Sequence, residues 1–118
     1  MKERTKFYKE CHLAARQYYD ANMVWNDLKV GTELRLMRDE DNRHDANAVA
    51  VMYDKCRKGK MREYHLGYIP ASENEEIAAF LDMGWNVLFE CCISKITPDA
   101  HYENQIRLTI RIRRNEDE

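Results

Sequence analysis

The most distinctive polar segment of this 118-residue chain is residues 38–49, which lies between two apolar stretches and reads Arg-Asp-Glu-Asp-Asn-Arg-His-Asp-Ala-Asn-Ala-Val. Its carboxylates could accept hydrogen bonds from a ligand, cap turns, or hold a divalent cation. The spacing lacks the EF-hand pattern and its turn glycine, and Arg43 would oppose a bound cation. We therefore predict a surface loop, and a metal-dependent nuclease built on Asp39, Asp41 and Asp45 stays open as an alternative.

The 4 cysteines and 4 histidines form no recognisable metal-binding or redox motif. The chain has no C-x-x-C pair, no H-E-x-x-H motif and no closely spaced pair of histidines. Cys91 and Cys92 are adjacent, so in a strand their side chains would point to opposite faces. We expect free thiols, no metal and no cofactor, while a zinc site assembled from Cys11, His12 or His65 is left open.

The composition is typical of one globular domain. Hydrophobic residues make up 44% of the chain and charged residues 34%, and 19 Lys plus Arg against 21 Asp plus Glu leave a net charge of −2. This balance argues against a protein that coats nucleic acid non-specifically, but it permits a local basic face. No apolar run is long enough for a membrane helix, so we expect a cytoplasmic protein with a single domain over residues 1–114 and a frayed acidic tail over 115–118.

Alternation of apolar and polar residues predicts six strands, which must position the polar loop. They cover residues 7–14, 32–38, 48–53, 62–69, 85–96 and 106–113. Two short helices are predicted between them, one over 20–28 that is capped by Asp20 and one that begins with the capping box from Ser72 to Glu75 and ends at Gly84. Many short strands with few helices favour a mainly β fold, a small OB-like six-stranded β-barrel, because closing a sheet removes its exposed edges.

Basic residues concentrate in two places. The first is typical of a hairpin tip around Gly59 and contains Lys55, Arg57, Lys58, Lys60 and Arg62. We interpret it as a solvated turn that keeps edge strands from aggregating, and an arm that guides phosphates is the alternative. The second is a stripe along the last strand, formed by Arg107, Arg111, Arg113 and Arg114.

Three segments, taken together, resemble the HIRAN domain family. Residues 34–51 are similar to that family's first signature, in which a strand leads into R-E/D-P-x-N-P-Y-D-x-N-A and then into a β-rich run. The sequence from Leu66 to Pro70 resembles its G-Y-I-P element, and the sequence from Gln17 to Asp20 resembles its Q-Y-Y-D-G element. The three occur in the family's order and, with the strands between them, cover most of the chain.

The resemblance implies an OB-like barrel that binds single-stranded DNA. In the best-known eukaryotic members it binds a free 3′ end and is attached to a fork-remodelling helicase of the Snf2 type. Asp45 takes the place of the family's aspartate that hydrogen-bonds the terminal 3′-hydroxyl. Tyr18 takes the place of a base-stacking tyrosine, and Tyr68 matches a position beside the pocket.

The loop departs from the family pattern at three positions. Arg43 and His44 replace a Pro-Tyr pair, so the loop's stacking tyrosine becomes a smaller histidine ring and Arg43 can add a phosphate contact. Glu40 replaces a proline and places another negative charge near a polyanion.

The sequence thus predicts a non-catalytic module that recognises single-stranded DNA at 3′-hydroxyl ends in repair or replication-associated processing. The implied partner proteins are a helicase or a nuclease. The residues expected to contact DNA are Gln17, Tyr18, Arg38, Arg43, His44, Asp45 and Tyr68. The nuclease named above and a protein-interaction module remain the alternatives.

Overall fold

The computed structural model describes residues 3–116 and contains all six predicted strands. They are β1 (Thr5–His12), β2 (Glu33–Arg38), β3 (Val49–Arg57), β4 (Lys60–Tyr68), β5 (Phe89–Ile96) and β6 (Ile106–Arg113). Strand β5 begins later than predicted, because residues 85–88 form a turn closed by the Leu88 N–H, which donates to the Trp85 carbonyl. The fold is therefore mainly β, as the alternation predicted.

The strands form one antiparallel sheet in the order β1-β6-β5-β2-β3-β4. Strand β2 belongs to both halves of this sheet. Its first residues, Glu33 and Leu34, pair with β5, and its remaining residues, from Arg35 to Arg38, pair with β3. Because β2 changes partner along its length, the two halves meet there and enclose the core between them.

The sheet is not closed into a barrel, so this part of the prediction is wrong. The outer strands β1 and β4 approach each other, but within residues 3–116 the pairing between these two sides is the single bridge of Ala14 with Tyr68. The Ala14 N–H donates to the Tyr68 carbonyl at 2.8 Å, and the Tyr68 N–H donates to the Ala14 carbonyl at 2.9 Å. The next residue, Ala15, has a φ of 60°, and this left-handed conformation turns the chain away before a ladder can continue.

The predicted first helix is also wrong. Residues 20–28 form two separate 3₁₀ turns, Asp20–Met23 and Trp25–Asp27. Val24 lies between them with φ −125° and ψ 16°, outside the helical range, so only short i to i+3 hydrogen bonds form. Two further 3₁₀ turns lie at Arg16–Tyr18 and Tyr102–Asn104.

The second predicted helix is present as α1 (Glu75–Asp82), but its predicted capping box is not formed. Asn74 is the N-cap residue; its side chain makes no cap hydrogen bond, and its Nδ2 donates to Asp45 of the polar loop. Ser72 lies in the turn before the helix. The buried residues of α1 are Ile77, Ala78 and Leu81.

Branched aliphatic side chains from the strands fill the core, together with those of α1. The largest fully buried ones are Leu13, Leu66, Ile69, Ile77, Ile93, Ile106, Leu108 and Ile110. All four cysteines are free thiols, as predicted, and burial raises the pKa of Cys11 to about 11. The helices among residues 3–116 are all too short or too polar to cross a membrane.

The predicted acidic tail is described only in part. Residues 117 and 118 lie outside the described residues. Glu116 forms an ion pair with Arg4 at 3.0 Å, and both side chains are exposed.

A glycine packed against the Ala14–Tyr68 bridge supplies the first prediction. A Cβ at Gly67 would lie 2.4 Å from the Ala14 carbonyl oxygen, so Gly67→Ala should lower the free energy of unfolding by about 2 kcal/mol or more. Gly59→Ala is the matched control: it meets open space, and its cost, about 1 kcal/mol, comes only from the positive φ of 80°. Urea denaturation would measure both, and equal losses would show that the bridge tolerates a methyl group.

Candidate functional site

The predicted polar loop joins β2 to β3 and is organised by its own asparagine and aspartate side chains. The Asp39 N–H donates to the Ala48 carbonyl at 3.0 Å and closes the base of the loop. The side-chain oxygen of Asn42 accepts from the N–H groups of His44 at 2.8 Å and Asp45 at 3.0 Å. These Asx-type bonds fix the backbone at the loop's tip without regular secondary structure.

Arg38 fastens this loop to the rest of the fold. Its Nη1 donates to the Ala48 carbonyl at 2.6 Å, and its Nη2 donates to the Ala46 carbonyl at 3.0 Å. Its Nε donates to Asp82 of α1 at 2.7 Å, and the side chain is only 13% exposed. The guanidinium of this predicted site residue is thus used within the protein, where it holds the loop against α1.

The Asp45 carboxylate is hydrogen-bonded to the buried side-chain amide of Asn74. Its Oδ2 accepts from Asn74 Nδ2 at 2.8 Å, and Asn74 is 1% exposed. Its Oδ1 accepts from the Asn47 N–H at 2.9 Å. A carboxylate has about four acceptor positions, so two remain for a ligand on a group that is only partly buried.

Asp39 links the loop to the end of β4. Its Oδ2 accepts from the Tyr68 hydroxyl at 2.5 Å and from Asn42 Nδ2 at 3.2 Å. The tyrosine hydrogen bond is the main reason that the pKa of Asp39 is lowered. Burial and the hydrogen bond to Asp39 raise the pKa of Tyr68. At neutral pH the pair is therefore a charged carboxylate and a neutral phenol, and the Tyr68 side chain is fixed at both ends.

Tyr68 is also part of an aromatic cluster with Tyr19 and His65. The rings of Tyr19 and His65 lie 4.1 Å apart and 30° from parallel, and both meet Tyr68 edge-on, at 5.5 Å and 4.8 Å. Tyr19 is 39% exposed, so part of the cluster faces solvent. Exposed, fixed rings of this kind can stack on other flat rings.

Sequence reasoning missed His65 as a member of this cluster. In a regular strand, residues 65 and 68 point to opposite faces. A β-bulge in β4 changes this, because Val51 and Met52 pair with Gly67 and His65, and Leu66 is left as the extra residue. The bulge thus turns His65 toward Tyr68, and no periodic pattern in the sequence marks it.

The 3₁₀ turn Arg16–Tyr18 lies between β1 and Tyr19. Tyr18 is 75% exposed, and its ring has no aromatic partner among residues 3–116. Gln17 has a buried side-chain oxygen without a hydrogen-bond partner in the same range. Arg16 is 4% exposed and lies over the rings of Trp25 and Tyr102, and burial lowers its pKa.

Apart from Arg38, which holds the loop, the predicted site residues fall into three groups. Asp45 and Tyr68 belong to one hydrogen-bonded network, which runs through Asp39 and Asn42. Arg43 and His44 are exposed at the tip of the same loop. Gln17 and Tyr18 reach this network through the next residue, Tyr19, whose ring contacts Tyr68.

The structure also shows where the side chains named as possible nuclease or zinc ligands lie. Among residues 3–116, no group of three or more His, Cys, Asp or Glu side chains is arranged to hold a metal ion. Asp39 and Asp45 bind hydrogen-bond donors of the protein, and His65 lies in the aromatic cluster. Cys11 is buried in the core. The side chains named as nuclease or zinc ligands are therefore not gathered at one point.

Two solved structures share this fold. The crystal structure of a protein from Lactobacillus plantarum superposes with a TM-score of 0.70 at 20% identity, covering 93% of this chain and 97% of that one. The crystal structure of the HIRAN domain of human HLTF superposes with a TM-score of 0.62 at 15% identity, covering 99% of this chain and 85% of that one. No curated protein sequence matches the chain. Residues 6–113 match the HIRAN domain, and the chain therefore belongs to the HIRAN domain family.

Proposed function

We propose that this domain binds single-stranded DNA at a free 3′-hydroxyl end and catalyses no reaction. HIRAN domains are known as a DNA 3′-end binding module and are generally non-catalytic. The observation that carries the proposal is the network that joins the backbone of Asp45 to the aromatic cluster through Asn42, Asp39 and Tyr68, while Asn74 and the Asn47 N–H hold the Asp45 carboxylate. It provides a hydroxyl acceptor and base-stacking surfaces on one connected framework.

Asp45 is the proposed acceptor for the terminal hydroxyl. A carboxylate can accept a hydrogen bond from a 3′-hydroxyl, whereas an internal phosphodiester offers no donor and a 3′-phosphate would meet it with like charge. Asn74 and the Asn47 N–H fix the orientation of this carboxylate before any ligand arrives. Little ordering of the side chain is therefore needed on binding.

The aromatic cluster and Tyr18 are the proposed stacking surface. Tyr18 exposes a ring with no aromatic neighbour in the described part of the chain, and Tyr19 exposes an edge of the fixed cluster. Stacking does not depend on base identity, and each stacked base contributes about 1–3 kcal/mol. Gln17 belongs to this surface through its place beside Tyr18.

Arg43 and His44 are proposed to contact the DNA from the loop's tip. Arg43 is exposed and makes no ion pair within residues 3–116, so it is free to bind a phosphate. His44 can stack on a base. Arg38 supports the site by holding the loop, since its donors bind protein acceptors. In this proposal the domain supplies end recognition to a helicase or nuclease in repair or replication-associated processing.

The proposed end recognition predicts that the domain prefers a 3′-hydroxyl end to a 3′-phosphate end, and that the Asp45 carboxylate causes this preference. The wild-type domain should bind a strand with a 3′-hydroxyl about tenfold or more tightly than the same strand with a 3′-phosphate, because the phosphate repels Asp45. In Asp45→Asn this preference should shrink toward equality, because the amide carries no charge. Its oxygen can keep the hydrogen bond from the Asn47 N–H, and the Asn74 amide must turn over so that its oxygen accepts from the new NH2 group. Fluorescence anisotropy with the two strands would measure the ratio.

Asp41→Asn is the matched control for this measurement. It removes the same charge from an exposed position in the same loop, so it should leave the preference unchanged. Equal wild-type affinities for the two strands, or the same loss of preference in both variants, would contradict end recognition by Asp45.

The proposed stacking of Tyr18 on a base predicts a loss of affinity that is independent of the preference for a 3′-hydroxyl end. Tyr18→Ala should weaken binding by about 1–3 kcal/mol, and Tyr18→Phe should keep most of the affinity because the ring face remains. Phe7→Ala removes another exposed aromatic ring, on β1, and should not change binding. Unchanged affinity in Tyr18→Ala would remove this residue from the proposed surface.

The Tyr68–Asp39 hydrogen bond predicts a pH-dependent stability. The folded-state pKa of Asp39 is lowered, so its contribution is present above the usual carboxyl pKa of about 3.9 and is lost as the pH falls through the folded value. Tyr68→Phe should therefore be less stable than wild type at neutral pH, and this gap should narrow as the pH falls below the usual carboxyl pKa and through the lowered folded-state value. Denaturation curves across pH would test it, and a gap of constant size in acid would mean that the hydroxyl acts in another way.

A further inference from the structure

The turn between β3 and β4 presents a hairpin tip whose residues 56–63 are all exposed. Lys58 and Gly59 have φ values of 53° and 80°, which is typical of the two-residue turn that joins antiparallel strands with their natural twist. Arg57 and Lys60 pair directly across the end of the ladder. The predicted hairpin tip is therefore present, and its side chains stand in solvent on a rigid support.

The two acidic residues of this hairpin, Asp54 and Glu63, share one arginine as their ion-pair partner. Arg35, on the neighbouring strand β2, binds Asp54 at 2.8 Å and Glu63 at 3.2 Å. Lys55 binds Asp27 at 2.6 Å. The remaining hairpin cations have no ion pair in the described part of the chain: Arg57, Lys58, Lys60 and Arg62.

The other basic stripe, on β6, contrasts with this hairpin. Arg107 binds Glu10 at 3.1 Å, and Arg113 binds two backbone carbonyls and approaches Glu90. Arg111 donates to Thr5 Oγ1, and Arg114 donates to a backbone carbonyl. The cations of β6 thus serve the fold, whereas those of the hairpin are left for a partner in a chain whose net charge is −2.

Strand β4 connects the hairpin tip to the proposed DNA site. It carries Lys60 and Arg62 at one end and His65 and Tyr68 of the aromatic cluster at the other. At about 3.3 Å per residue, Arg62 lies about 20 Å from Tyr68 and Lys60 about 26 Å from it. A strand stacked at about 3.4 Å per nucleotide covers these distances in about six and eight nucleotides.

We propose that the β3–β4 hairpin binds the phosphate backbone of the same DNA strand, about six to eight nucleotides from the 3′ end. This inference rests on the proposed function, because the end-binding site sets the strand's position. Four cations at the hairpin tip have no ion pair within the described residues, although Arg62 also lies over the Tyr64 ring, and such a cluster suits a polyanion with regularly spaced charges. Strand β4 provides a continuous support between the two contacts. The end site then selects the terminus, and the hairpin supplies affinity that depends on strand length and salt.

The test compares a trinucleotide with a decanucleotide, both with a 3′-hydroxyl, in a triple variant with Arg57→Gln, Lys58→Gln and Lys60→Gln. The wild-type domain should bind the decanucleotide at least about tenfold more tightly than the trinucleotide. The triple variant should lose this advantage while its trinucleotide affinity stays close to wild type. Loss of three phosphate contacts should reduce the slope of log affinity against log salt by about 2 for the longer strand.

A second triple variant, with Arg4→Gln, Lys6→Gln and Lys95→Gln, removes the same charge from exposed positions on or next to other strands. It should keep the advantage of the longer strand, and all three proteins should unfold at similar temperatures because the altered side chains are exposed. Equal losses in the two triple variants would overturn the proposal in favour of a general field effect. A decanucleotide advantage that survives in the hairpin variant would also overturn it.

Two further outcomes separate this proposal from others. Equal binding of 3′-hydroxyl and 3′-phosphate strands, with a decanucleotide advantage that still depends on the hairpin, would end the 3′-end proposal and keep the hairpin as a backbone contact. Binding of phosphatidylserine vesicles at physiological salt, lost in the hairpin variant and stronger than decanucleotide binding, would overturn the proposal in favour of a membrane surface.

Discussion

Two backbone hydrogen bonds between Ala14 and Tyr68 hold the open sheet together at the point where the candidate site is built. They place the turn after β1 against the end of β4, and so Tyr19 reaches Tyr68 and His65. The bridge requires a residue without a Cβ at Gly67, because the Ala14 carbonyl oxygen occupies that space. The Tyr68 hydroxyl donates a hydrogen bond to Asp39, and so the bridge also fixes the position of the β2–β3 loop.

Most charged groups around the loop are committed to internal contacts. Arg38 holds the loop's backbone and α1, and Asp39 holds Tyr68. Asp45 is bound from behind by a buried asparagine, which leaves its outer acceptor positions for a ligand. In the proposed function, fixing the carboxylate in this way gives it directional selectivity for a hydroxyl, while its charge discourages a phosphate at the same point. The cations proposed to bind the phosphate backbone lie elsewhere, at Arg43 and on the β3–β4 hairpin.

Local patterns predicted the features that depend on local physics. Strict alternation identified β6 with its observed bounds, and helical spacing with Gly84 located α1 within a few residues. The hairpin around Gly59 followed from turn composition. By contrast, the capping box from Ser72 to Glu75 was wrong because the Glu73 N–H donates to the Pro70 carbonyl in a turn, and the helix begins only at Glu75 with Asn74 as its N-cap residue. The hydrogen bond from the Asn74 amide to Asp45, 29 residues away, is a tertiary contact that no local motif shows.

The sequence by itself determined a mainly β chain, the polar loop between two strands, and membership of a family through motifs whose order is readable without coordinates. Only the tertiary structure decided that the sheet stays open, because the positive φ of Ala15 ends the approach of β1 to β4 after one bridge. It alone brought His65 into the aromatic cluster through the bulge at Leu66. It also separated the arginines that support the fold from the four cations at the hairpin tip that form no ion pair within the described residues. Which strands pair and which side chains face each other depend on contacts between segments far apart in the chain. Periodicity within one segment carries no information about those contacts.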